Sequence, residues 1–194
     1  MANAGDAGPT PALPEDGKRA QHGALGAAAP PIARFLRYWR DACGDRAMPR
    51  RCDVDPLEVP AGLLPCVILT DALEGGAQHR YRLVGTGIEM ASRRSLTGGI
   101  VGDAIPNPAY RAYVLGLYAT VMARRRPLFS VSNFAHPELH HIVTERIMCP
   151  LSEDGATVSM ILTCQVFDAH PDRWRDAAHI APGEFQQLVE AEVV

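Results

Sequence analysis

Residues 108–126, PAYRAYVLGLYATVMARRR, decide how this chain folds. Tyr110, Tyr113, Val114, Leu117, Tyr118, Val121 and Met122 recur at i, i+3, i+4, i+7, i+8, i+11 and i+12, which is one stripe of a long amphipathic helix. Pro108 suits the first turn, Arg124–Arg126 place cations at the helix's negative end, and Pro127 stops it. Beyond it lie three strand candidates: 128–135 (LFSVSNFA), 140–149 (HHIVTERIMC) and 156–167 (ATVSMILTCQVF). In the last, Val158, Met160, Leu162, Cys164 and Val166 alternate with Ser159, Ile161, Thr163 and Gln165, and Glu153-Asp154-Gly155 supplies a hairpin turn before it. Ahead of the helix, CVILTDAL (66–73) is a compact β-branched run ended by EGGAQ, and HRYRLVG (79–85) follows at hairpin distance. Alternation there places Tyr81, Leu83 and Gly85 on one face and Arg80, Arg82 and Val84 on the other. Thr86 is positioned to cap a short helix through Arg93, and SLTGG and IPNP punctuate the stretch that follows.

Further out, IARFLRYWRDACG predicts a helix over 32–43, with Ile32, Phe35, Leu36 and Trp39 forming an apolar stripe. Residues 45–65, with four prolines, read as an irregular connector. Residues 1–31 hold nine Ala, five Gly and five Pro, a composition with almost nothing large to bury, and are expected to be disordered. The domain plan is therefore a tail at 1–31, a helix and connector at 32–64, a folded domain at 65–168, and an acidic tail at 169–194 in which 184–193 can form a closing helix.

A chain of 194 residues that is 47% hydrophobic and 21% charged fits a single globular domain. Its formal charge of −3 argues against a nucleic-acid binder, which needs a basic excess. The five cysteines form no CxxC pair and sit mostly in apolar runs, as thiols of a reducing compartment do, so a cytoplasmic location is expected. No run approaches the roughly 20 apolar residues of a membrane span, and no membrane insertion is expected.

Hairpin, helical crossover, long helix and three-strand meander is the element order of the PAS fold. The wording sharpens the likeness: RYWRDACGDRAMPRRCDVDPLEVPAGLLP, YRLVGTGI, LTGG and CPLSEDGATVSMIL resemble the bacterial single-PAS family catalogued as the fifth PAS family, over roughly residues 34–167. The sharpest pieces are Arg46–Pro49 with Asp53–Pro56, Arg82–Thr86, Leu96–Gly98 and Pro150–Gly155. The resemblance implies an α+β fold: a five-stranded antiparallel sheet with a helical crossover and the long helix on one face, preceded by the N-terminal amphipathic helix. It further implies a sensor or adaptor for signal transduction.

Several chemistries can be weighed against that expectation. Haem-sensing PAS domains use a His on the long helix, and 109–125 has none; photochemical flavin domains use a Cys in the helical segment, and 86–126 has none. Haem bound in that manner and a covalent flavin adduct are thus disfavoured, whereas non-covalent flavin stays open and the cofactor is unassigned. Gly85-Thr-Gly87 lacks the third glycine of a dinucleotide fingerprint, since Met90 stands there. His136, His140 and His141 form no metal shell on regular strand geometry and read as a solvated hairpin end. The candidate ligand-binding set is Arg82, Tyr110, Tyr113, Leu117, Tyr118 and Arg146, in which the arginines can hold an acidic metabolite. The stripe Ile32, Phe35, Leu36 and Trp39 covers either the chain's own sheet or the same helix of a second copy, and a homodimer is the expectation. A non-enzymatic module acting through a protein partner is the primary reading. The alternatives are a filled-core interaction module and a small enzyme doing acid–base chemistry with Glu145 or Asp103 beside the tyrosines.

Overall fold

A computed structural model describes residues 28–55, 58–136, 140–168 and 185–193, of which 135–136 and 140–142 are described by backbone alone. The elements run α1 (Pro30–Cys43), β1 (Val67–Leu73), β2 (Gln78–Val84), α2 (Thr86–Ser92), α3 (Pro108–Arg124), β3 (Leu128–His136), β4 (His140–Leu151), β5 (Met160–Phe167) and β6 (Phe185–Glu192). Short 3-10 turns at Arg51–Asp53, Leu64–Cys66 and Glu74–Gly76 interrupt the connections. The expectation of a disordered stretch ahead of residue 28 and most of the acidic tail lie outside the described residues.

The strands form one antiparallel sheet in the order β2-β1-β5-β4-β3-β6. The sheet has six strands where the sequence predicts five. The sixth replaces the closing helix expected over 184–193: residues 185–192 pair with β3, Phe134 opposite Phe185 and Leu128 opposite Glu192. An exposed β3 edge offers that segment a row of unpaired backbone groups, and pairing outweighs the helical preference of its Gln, Leu, Glu and Ala residues.

Helices cover both faces of the sheet. Neighbouring residues Glu145 and Arg146 on β4 point to opposite sides: Glu145 accepts a hydrogen bond from the Ala29 amide at 2.9 Å, next to α1, and Arg146 donates to the Tyr110 hydroxyl on α3 at 2.7 Å. On the α1 side, Ile147 stands opposite Cys164 and Cys149 opposite Leu162, with Val67 and Leu69 of β1 continuing the layer. Ile32, Phe35, Leu36 and Trp39 are buried in this layer, and the Trp39 indole donates to the Pro150 carbonyl at 3.0 Å. Burying four such side chains contributes roughly 6–12 kcal/mol as an upper figure, comparable with the whole stability of a domain. The stripe assigned above to a dimer or partner surface is therefore occupied within the chain, because the sheet face it covers would otherwise stand in water.

The α3 side carries Val114, Leu117, Tyr118 and Val121 inward, four of the seven residues of the expected stripe, while Tyr110, Tyr113 and Met122 are only partly buried. Asn107 caps the helix by accepting from the Tyr110 amide at 2.9 Å. The α2 cap differs from expectation: Gly85 is the N-cap and Thr86 the first helical residue. Conserving space explains both glycines here, since a Cβ on Gly85 would lie 2.4 Å from the Leu64 and Pro65 carbonyl oxygens, and one on Gly87 2.9 Å from that of Pro65. Two further pieces of distinctive wording are structural. Arg46 and Arg50 both hold Asp53, and the Ser152 amide donates to the Pro49 carbonyl at 3.0 Å, stapling the connector to the β4–β5 hairpin. In that hairpin Asp154 accepts from the Ala156 and Thr157 amides, and Gly155 takes the positive φ of 78° that the turn requires.

Candidate functional site

The site begins with an irregularity in the first hairpin. Leu69 pairs with Leu83 but Thr70 pairs with Tyr81, so Arg82 is an extra residue on β2 and the strand bulges. The bulge reverses the alternation. Tyr81 turns to the α3 side, while Leu83 stays on the side of Leu69; the two do not share a face as simple alternation predicts. Arg82 is displaced outward, where it joins Arg80 in gripping Asp71 at 3.2 Å each. It does not reach the ligand site expected of it.

Between the α3 face of the sheet, α2 and the 94–105 segment lies a cavity of about 200 Å³. Its floor is Ile68, Met148, Thr163, Gln165 and Phe167; Tyr110, Val114 and Tyr118 of α3 form one wall, Tyr81 another, and Ile88, Leu96 and Ile105 close it. Exposed Ser92 and Arg94 stand on its outer side. The Arg94 guanidinium is held by the Ala104 carbonyl.

Arg146 is the charged group of this cavity that is out of water, only 3% exposed. Its Nη2 donates to the Tyr110 hydroxyl at 2.7 Å and the Ser132 hydroxyl at 3.3 Å, and its guanidinium carbon lies 5.9 Å from the Tyr110 ring centroid. Its Nε is buried without a partner, as is the Thr163 hydroxyl of the cavity floor. No carboxylate of the described residues pairs with Arg146. A guanidinium does not give up its proton, so among the described residues this buried positive charge is hydrogen-bonded only by hydroxyls.

Tyr81 and Tyr118 stay neutral. Burial pushes the Tyr81 hydroxyl up to about 12, against the pull of Arg146, and burial raises Tyr118 further still, where the hydroxyl bonds Thr70. Behind Tyr118, and outside the cavity, the buried His79 ring stands 4.4 Å away centroid to centroid; desolvation lowers its pKa and keeps it uncharged at neutral pH.

Of the expected ligand set, Tyr110, Tyr118 and Arg146 come together on the cavity. Leu117 is fully buried core, and Tyr113 packs on Tyr110 and on Phe185 of β6, ring centroids 6.1 and 5.0 Å away. Tyr81, Thr163 and Gln165 were not anticipated: only the bulge turns Tyr81 inward, and the other two sit at polar positions of a strand that is covered on both faces. The carboxylates of the enzyme alternative are not beside the tyrosines, since Glu145 lies on the α1 side and Asp103 is exposed. The side chains of His136, His140 and His141 are outside the description; among the described residues no group of three His, Cys, Asp or Glu is placed to hold a metal. No described helix is long and apolar enough to cross a membrane.

Among known families, the model of one described as PAS domain matches residues 27–165. No curated protein matches the chain.

Proposed function

Because this chain belongs to the PAS domain family, a grouping of sensor and signalling modules, we propose that it is a non-enzymatic sensor or adaptor whose input is a small metabolite held in the Arg146 cavity. Its output passes by contact with a protein partner. The observation that carries this reading is the buried guanidinium with an unpartnered Nε beside a preformed, mostly apolar space. Filled cores place apolar groups at such positions, because a buried charge without a counter-ion is costly; a site that binds tolerates it, because the ligand supplies the missing partner. Apolar walls with a few convergent polar groups are the usual make-up of small-molecule sites.

The test is native mass spectrometry of the full chain set against denaturing spectra. A molecule of low mass that is retained natively and lost on denaturation supports the sensor; protein mass alone, unchanged after incubation with a metabolite extract, favours the filled-core module.

A further inference from the structure

Resting on the reading of the cavity as a ligand site, we infer that its ligand is a small monocarboxylate with an apolar body, on the order of ten non-hydrogen atoms in size. Three features of the cavity fix this class.

The sign of the charge comes from Arg146. Its guanidinium is buried and permanently cationic, and its hydrogen-bond partners, the Tyr110 and Ser132 hydroxyls, are not carboxylates. Arginine's planar fork matches a carboxylate. Tyr81 and Tyr110 line the same cavity, and burial holds the Tyr81 hydroxyl in its neutral, proton-donating form.

The number of charges comes from what else is present. Arg94, the other cation lining the space, is exposed and already engaged by the Ala104 carbonyl. A second negative charge held inside would face Ile68, Val114 and Met148 and lose its hydration without compensation, whereas one at the outer side would meet only the solvent-screened Arg94. Dianions compact enough to sit wholly inside are disfavoured on that ground.

The size comes from the volume. About 200 Å³ is the liquid volume of roughly seven waters, and lies below the roughly 300–1,000 Å³ of sites that take drug-sized molecules. The unpartnered Thr163 hydroxyl gives such a ligand room for one further hydrogen bond.

Isothermal titration of the extensively dialysed full chain with benzoate, its neutral isostere benzamide and the dianion terephthalate tests the class. Benzoate is expected to bind at least tenfold more tightly than either of the others. Arg146→Met is expected to erase the preference for benzoate over benzamide, while Val114→Phe, which occupies the space and leaves the charge in place, abolishes binding of both. The wild-type ranking stands even if a variant fails to fold. Equal binding of benzoate and benzamide overturns the carboxylate class and leaves the cavity reading intact; tighter binding of terephthalate overturns the single charge. If no probe binds, a retained native ligand that proves not to be a monocarboxylate also overturns the class, and native spectra free of any ligand overturn the cavity reading beneath it.

Discussion

Replacing Trp39 by Ala separates a helix that covers its own sheet from one that joins two chains. Trp39 is 5% exposed, packs from α1 onto the β4–β5 layer and donates its indole N–H to the Pro150 carbonyl at 3.0 Å. Truncating a buried aromatic ring costs about 3–5 kcal/mol, and the loss of the hydrogen bond adds about 1 kcal/mol, placing the change at the upper end of that range. For a chain of this size each kcal/mol moves the melting temperature by about 2–4 °C, so a fall of roughly 8–20 °C is expected. Trp39→Phe, which keeps an aromatic ring but loses the hydrogen bond and the volume of the second ring, should fall by less than Trp39→Ala. Thermal melts by circular dichroism, run beside size-exclusion chromatography with light scattering, read both quantities. A melting temperature within 2 °C of wild type, accompanied by a change from dimer to monomer, would refute the intramolecular packing and restore the stripe to an interface between chains.

The close approach at Gly85 predicts that Gly85→Ala, which drives a Cβ to 2.4 Å from two backbone oxygens, costs at least about 2 kcal/mol in a urea titration; a neutral substitution would contradict the packing of α2 on the 64–66 turn. Arg50 and its backbone amide hold the Asp53 carboxyl down at about 2 against an ordinary value of 3.8. A depressed carboxylate contributes stability that is present above its unfolded pKa and is lost as pH falls through the folded one, so Asp53→Asn should flatten the fall in melting temperature between about pH 4 and pH 2, and an unaltered acid limb would count against the pair. Burial raises the Cys43, Cys149 and Cys164 thiols, the second well above its ordinary value, whereas Cys52 is exposed. A disulfide reagent at pH 8 should thus modify Cys52 first and leave those three untouched until the chain unfolds; their early reaction would show that the α1 layer opens readily.

The element order was legible because it is written in periodicities that a single stretch contains: the stripe from Tyr110 to Met122, the alternation of 158–166, the turn at 153–155. What escaped depended on partners remote in sequence. Residues 185–192 have helix-forming composition, and only the vacant edge of β3 makes them a strand. The α1 stripe was plain, but which surface it covers follows from the parity of Glu145 and Arg146 on a strand more than a hundred residues away. At the site, Tyr110, Tyr118 and Arg146 were found as residues that pair apolar bulk with polar reach. Tyr81 and Arg82 were exchanged in role, because one inserted residue shifts every side chain after it to the opposite face, and no local signal in HRYRLVG marks a bulge.

The central claim is that Arg146 holds an unsatisfied donor for a ligand rather than a partner inside the fold. It is tested most directly by the arginine Nε–H region of a ¹H–¹⁵N spectrum of the full chain, with the Arg146 signal assigned by its absence in Arg146→Met, recorded while benzoate is added. The account predicts that the Arg146 Nε–H resonance moves downfield and becomes protected from exchange with solvent as the cavity fills, while the exposed Arg80 and Arg82 signals stay in place. An Arg146 signal that is unmoved at saturating benzoate, with the ligand bound elsewhere or not at all, would contradict it.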